Sequence, residues 1–96
     1  MPPIDIQQNL RNLKNEVRQL YKAELKGFCG SFATGKARED SDIDILVNFD
    51  AGATLLDLTG LGNFLEEKLH RKIDLVTPAA LRQELKTRIL GELVAI

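Results

Sequence analysis

Apolar residues recur every three or four positions in three stretches of the chain, which is the spacing of amphipathic helices. Over residues 5–24 this pattern predicts a first helix, with Asp5 as its N-cap because a proline pair lies just before it. A second stripe, over residues 54–69, predicts another helix. A third, over residues 77–93, predicts a final helix with Thr77 as N-cap and a proline in the first turn, where its missing N–H costs nothing.

Three short runs between these helices have the composition of β-strands. They cover residues 25–29, 42–49 and 72–76, and the polar segment 33–41 is predicted to be a loop or one helical turn. The order α-β-α(short)-β-α-β-α makes the last two strands parallel through a right-handed crossover and the first two antiparallel. We therefore predict an α/β (α+β) fold with a small mixed three-stranded sheet flanked by helices, in a single domain over residues 1–96.

Composition and charge narrow the classes of function. The 96 residues carry a net charge of −1, which argues against a general nucleic-acid binder held by phosphate neutralisation. No apolar run approaches the roughly 18 residues of a membrane helix, and the N-terminus has no secretion signal. The single cysteine, Cys29, cannot close an intrachain disulfide. We expect a cytoplasmic protein that has no membrane partner and does not bind nucleic acid stably.

Acidic side chains are concentrated in the middle of the chain. Residues 27–70 carry eight acidic and three basic side chains, a net charge of −5. Asp42 and Asp44 would project from one side of a strand, because side chains two residues apart share a face. If the second and third strands are parallel neighbours, one register brings Asp74 beside them. Three carboxylates at one sheet edge suit Mg²⁺ or Mn²⁺, whereas an isolated Asp-x-Asp would be a solvated strand edge.

A glycine-rich turn precedes this acidic cluster. The segment from Gly30 to Lys36 fits the P-loop pattern G-x-x-x-x-G-K, but Ala37 follows where that loop needs Ser or Thr. A strand also begins within six residues, which leaves no room for the P-loop helix. What remains is Gly30 with Ser31, separated by ten residues from the aspartate pair. Glycine lets backbone amides approach phosphate closely, so the turn and the carboxylates together indicate a nucleoside triphosphate site.

Residues 30–45 and 71–78 together resemble the signature of the minimal nucleotidyltransferases, the MNT-type antitoxins of the DNA polymerase β superfamily. The resemblance extends over essentially the whole chain and implies a nucleotidyltransferase fold. It also implies an enzyme whose acceptor attacks the α-phosphorus of a nucleoside triphosphate while pyrophosphate leaves. Small members of this family resemble enzymes that transfer AMP from ATP to a tyrosine of a partner HEPN-domain toxin, which is an RNase.

The same resemblance implies roles for individual residues. Asp42 and Asp44 would bind the Mg²⁺ or Mn²⁺ ions that clamp the triphosphate. Asp74 would complete the site of the catalytic metal and help activate the incoming hydroxyl. Gly30 and Ser31 would hold the β and γ phosphates.

One position departs from the family pattern. Position 34 commonly carries a basic residue and here is Thr34, so Lys36 or Arg38 would have to supply that phosphate contact, unless both are solvated loop charges. This departure favours an alternative function, a nucleotidyltransferase-fold module that neutralises its partner by binding, with catalysis weak or lost. Transfer to an RNA end is disfavoured by the negative net charge and by an aromatic content of 5%.

Overall fold

The computed structural model describes residues 3–96, with side chains described from Ile6 onward. The first helix, α1, spans Pro3–Tyr21, so it begins before Asp5 and the prediction that Asp5 is the N-cap is wrong. Proline suits the first turn of a helix, because the N–H that it lacks has no partner there. The helix also ends earlier than predicted, since Lys22 has a φ of 54° and turns the chain into the sheet.

The sheet has four strands rather than the predicted three. They are β1 (Ala23–Cys29), β2 (Ile43–Phe49), β3 (Ile73–Val76) and β4 (Val94–Ala95), in the order β3-β2-β1-β4. The antiparallel pairing of β1 with β2 and the parallel pairing of β2 with β3 confirm the predicted topology. The additional strand has two residues, which is too short for an alternating pattern to reveal it in the sequence.

Gly27 is the point at which β4 meets β1. It pairs with Ala95 in the antiparallel register, and its φ is 154°. A Cβ at this position would overlap the carbonyl oxygen of Val94. The two backbones can therefore approach each other here only because residue 27 is glycine.

Two helices connect the first three strands. The connection from β1 to β2 begins with a single helical turn, α2 (Ser31–Thr34), and the parallel crossover contains α3 (Leu55–Leu69). Thr54 and Asp57 form a capping box at the start of α3, where the Asp57 carboxylate accepts a hydrogen bond from the Thr54 N–H at 2.9 Å. The predicted helix over residues 54–69 is confirmed.

The last helical stretch is divided, so the single helix predicted over residues 77–93 is wrong. A 3₁₀ helix spans Pro78–Ala80, and α4 begins only later, at Gln83–Glu92. Leu81 and Arg82 between them have extended backbones, with ψ angles of 144° and 154°. The interruption changes the direction of the chain, and α4 then lies on the face of the sheet that carries Asp44 and Asp74, with which it lines a cavity.

The hydrophobic core lies between the other face of the sheet and the helices α1 and α3. The predicted inward side chains of β2, Ile43, Ile45 and Val47, are fully buried. The core consists of these residues together with apolar side chains from α1, β1, α2 and α3, namely Ile6, Leu10, Val17, Ala23, Leu25, Phe28, Phe32, Leu61, Leu65 and Leu69. Within the described residues, none of the helices has the length and apolar character needed to cross a membrane.

The close approach at β4 makes a prediction about stability. Replacing Gly27 with alanine (G27A) should lower the free energy of unfolding by about 2 kcal/mol or more, because the new methyl group overlaps backbone at a positive φ. The matched control is G91A, since Gly91 lies in α4 with open space around it; that change should raise the free energy by about 0.5 kcal/mol. Urea denaturation measures both, and equal stability of G27A and wild type would contradict the packing described.

Candidate active site

Asp44 and Asp74 lie directly opposite each other on the parallel strands β2 and β3. Ile43 and Ile45, on either side of Asp44, point into the core, so the Asp44 carboxylate projects from the other face of the sheet. Asp74 lies opposite Asp44 and shares that face. Asp74 is exposed and Asp44 is half-buried. The sequence predicts the face of Asp44 and allows one register that brings Asp74 beside the pair; the structure has a register that places Asp74 opposite Asp44.

Asp42 stands apart from that pair. It is exposed and lies one residue before β2 begins, on the extended end of the connection from α2. Among the described residues, no three acidic, histidine or cysteine side chains are close enough to hold a metal ion by themselves. The structure therefore brings two of the three predicted carboxylates together and leaves the third beside them.

The environment of Asp44 makes its ionisation costly. Partial burial of the carboxyl and the negative charge of Asp74 raise the pKa of Asp44 from 3.8 to about 6, and the charge of Asp42 adds a smaller repulsion. A carboxylate that two other carboxylates destabilise gains from any nearby positive charge. The pair is thus chemically suited to a hard divalent cation, which prefers oxygen ligands.

Gly30 provides the space that the Asp44 carboxylate occupies. Its φ is 71°, and a Cβ on this residue would overlap Oδ2 of Asp44. Glycine is thus required both for the left-handed turn and for the close approach of the carboxylate to the backbone. Ser31 follows at the start of α2 and is half-buried, so the turn and the aspartate pair form one continuous site.

Thr34 and Lys36 do not reach this site in the way a phosphate ligand would. The Thr34 hydroxyl donates a hydrogen bond to the Gly30 carbonyl at 3.1 Å, which closes the single turn of α2. Lys36 is exposed in the loop that follows Gly35, and it does not line the cavity beside Asp44. The compensating contact from Lys36 stays a prediction.

A cavity of about 270 Å³ lies against the aspartate pair. Its floor comes from the sheet and its wall from one face of α4, and it is lined by Cys29, Gly30, Asp44, Asp74, Val76, Leu85, Arg88, Ile89 and Glu92. The sequence assigns the apolar positions of this helix to packing and gives no role to Arg88 or Glu92. Arg88 and Glu92 are four residues apart and therefore lie on one helix face, and this spacing is the one sequence feature that indicates they could act together.

Arg71 holds the connection that leads to Asp42. Its Nη1 donates hydrogen bonds to the carbonyl oxygens of Glu39, at 2.6 Å, and Ser41, at 3.2 Å. Its guanidinium also lies over the ring of Phe32, 5.0 Å from the centroid. No sequence pattern predicts that Arg71 holds this connection, because the acceptors are backbone groups some thirty residues away in the chain.

Cys29 lies beside the pair but is not equipped to act as a nucleophile. It is buried, and its Sγ is 3.7 Å from the backbone oxygen of Asp44. Burial and the charge of Asp44 raise the pKa of the Cys29 thiol to about 11, so the thiol stays protonated at neutral pH.

The raised pKa of Asp44 makes stability depend on pH in a specific direction. The folded protein holds the Asp44 proton more tightly than the unfolded chain, so this group stabilises the fold at low pH and the benefit disappears as pH rises through about 6. The D44N variant cannot ionise. With a chelator present, it should gain about 1 kcal/mol relative to wild type between about pH 4 and pH 7, less than the full shift implies because the carboxyl is partly solvated.

Urea denaturation at a series of pH values tests this, with D40N as the control because Asp40 is an exposed loop aspartate. A constant difference between D44N and wild type across the series would show that Asp44 is not strained by its neighbours.

Known proteins are similar to this chain over nearly its whole length. The relative named protein adenylyltransferase MntA from Thermococcus cleftensis is 35% identical over 92 residues, which cover 96% of this chain and 93% of that protein. A solved structure assigned as a minimal nucleotidyltransferase is 36% identical with a TM-score of 0.76, covering 94% of this chain and 95% of that one. A toxin-antitoxin crystal structure with AMP-PNP has a TM-score of 0.74 at 21% identity, covering 93% of this chain and 70% of that one, and shows the fold alone.

The family match covers the site as well as the framework. Residues 10–96 match the sequence profile of the nucleotidyltransferase domain, a range that contains the glycine turn and all three aspartates. The nucleotidyltransferase fold, the family and the enzyme class predicted from the sequence are confirmed. This chain belongs to the nucleotidyltransferase domain family.

Proposed function

We propose that this protein is a protein adenylyltransferase that transfers AMP from ATP to a tyrosine of a partner toxin, and that it acts as the antitoxin of that pair. The observation that carries the proposal is the direct opposition of Asp44 and Asp74 on parallel strands, next to a turn that must be glycine. The name of the Thermococcus cleftensis relative, which aligns along nearly its full length, supports the choice of a protein acceptor. A HEPN-domain RNase is the partner that the sequence resemblance implies.

A divalent cation, Mg²⁺ or Mn²⁺, fits the residues present. Asp44 and Asp74 would hold it together with Asp42, since all three offer carboxylate oxygens, and a bound cation would offset the burial and the neighbouring charges that raise the pKa of Asp44. When bound, such an ion neutralises phosphate charge and favours departure of pyrophosphate. We assign the same three aspartates as the catalytic residues of this protein.

The chain's own groups account for the remaining steps. The backbone at Gly30 and the hydroxyl of Ser31 would hold the β and γ phosphates of ATP. Asp74 is exposed and would accept the proton of the incoming tyrosine hydroxyl. The tyrosine oxygen would then form a bond to the α-phosphorus, while the bond from that phosphorus to the bridging oxygen breaks and pyrophosphate leaves.

The openness of the site favours an acceptor on a separate protein. Asp42 and Asp74 are exposed at the sheet edge, so a side chain carried on another folded surface can reach them. A groove of about 510 Å³ continues from Asp42 along the connection that Arg71 holds. An acceptor segment would contact this groove next to Asp42.

Radiolabel transfer tests the proposal. The purified protein is incubated with α-labelled ATP, Mg²⁺ and the product of the neighbouring gene, and the label should appear on a tyrosine of that product, located by mass spectrometry. D44N and D74N should each lower the rate by at least about 100-fold, because each removes a carboxylate on which charge stabilisation depends. The control is E67Q, because Glu67 is exposed on α3 and lines neither the cavity nor the groove; this variant should transfer at the wild-type rate, and addition of EDTA should stop transfer.

The alternative function has a distinct outcome. If label never appears on the partner, yet a D42A/D44A double variant still forms the complex and neutralises the toxin in cells, the protein acts by binding alone. One observation favours this second candidate. The Thr34 hydroxyl donates its hydrogen bond to the Gly30 carbonyl, which leaves position 34 without a phosphate ligand.

A further inference from the structure

We propose that Arg88 on α4 binds the phosphate chain of the nucleotide. In the absence of nucleotide, the Arg88 guanidinium pairs with Glu92, and a phosphate group takes the place of the Glu92 carboxylate when the nucleotide binds. This inference rests on the proposed function, because it names a further substrate-binding residue of the same site. Four side chains on one face of α4, at Leu85, Arg88, Ile89 and Glu92, line the cavity that contains Asp44 and Asp74. Their spacing of three, four and seven residues is that of a single helix face.

The ionisable side chains that line the cavity are mostly acidic. Its lining contains three carboxylates, those of Asp44, Asp74 and Glu92, and Arg88 is the one basic side chain among the described residues that line it. A triphosphate is strongly anionic, so this lining repels it unless positive groups face it. A guanidinium matches phosphate oxygens with paired N–H donors, which makes Arg88 the natural protein ligand here.

Arg88 differs from the other basic side chains near the site, because Arg38 and Lys72 do not line this cavity. Arg71 donates to the backbone oxygens of Glu39 and Ser41, and Lys36 does not line the cavity. The Arg88 side chain is 73% exposed, and its contact with Glu92 is a single one, from Nε to Oε1 at 3.4 Å. An exposed pair at this distance is weak, so a phosphate group can take the guanidinium from it.

This arrangement gives Arg88 and Glu92 opposite effects on nucleotide binding. Loss of Arg88 removes the attraction, whereas loss of the Glu92 charge frees Arg88 and removes one carboxylate from the cavity wall. A purely structural role for the pair would make both changes act in the same direction. The sign of the Glu92 effect therefore separates ligand binding from helix stabilisation.

The experiment measures binding of inorganic pyrophosphate with Mg²⁺ by isothermal titration calorimetry, and KM and kcat for ATP in the transfer assay, on the intact protein. R88Q should weaken pyrophosphate binding and raise KM about tenfold with a smaller change in kcat, and R88K should recover part of the loss. E92Q should tighten binding about threefold. The matched control is R82Q, which removes the same charge at the start of α4 away from the cavity and should change binding less than twofold.

The outcomes separate this inference from the proposed function. Unchanged binding in R88Q, equal losses in R88Q and R82Q, or weaker binding in E92Q would each overturn the role of Arg88. If the wild type binds pyrophosphate through Arg88 but labels no partner, the inference stands and the proposed function fails. If the wild type labels its partner and R88Q does so with unchanged KM, the proposed function stands and the inference fails.

Discussion

The placement of two carboxyl groups, the half-buried Asp44 and the exposed Asp74, directly opposite each other is the constraint on which the site depends. Parallel pairing places them directly opposite each other, and partial burial removes some of the water that would screen them. Packing on the other face of β2 offsets the free-energy cost of this placement, because Ile43 and Ile45 are fully buried there between the sheet and two helices. If β2 shifted by one residue, Asp44 would leave its place opposite Asp74. The same shift would expose these core residues, because neighbouring positions of a strand face opposite sides.

The segments that flank β2 and β3 help to fix the positions of Asp44 and Asp74. Gly30 gives Asp44 the space that any Cβ would take, and the single turn of α2 is closed by hydrogen bonds to the Gly30 carbonyl. On the other side, Arg71 ties the loop before Asp42 to the start of β3. The loop between two strands is therefore fixed at both ends, although it contains no regular structure over most of its length.

The C-terminal part of the chain completes the cavity. The break at Leu81 and Arg82 turns α4 onto the carboxylate face of the sheet, and β4 then fastens the end of the chain to β1 at Gly27. Without that attachment α4 would have little to hold it, since its apolar side chains are mostly exposed or half-buried. The wall that α4 contributes to the cavity is thus positioned by two residues of strand pairing.

The sequence by itself determined the framework and the centre of the site. Periodicity identified α1, α3 and the three longer strands, and alternation in β2 placed Asp44 on the face opposite Ile43, because these are local properties of helices and strands. Motif resemblance identified the family. The tertiary structure decided the rest. The division of the last helix, strand β4, the hold of Arg71 on the loop and the placement of Arg88 in the cavity wall all depend on contacts between residues far apart in the chain, and no local spacing encodes such contacts.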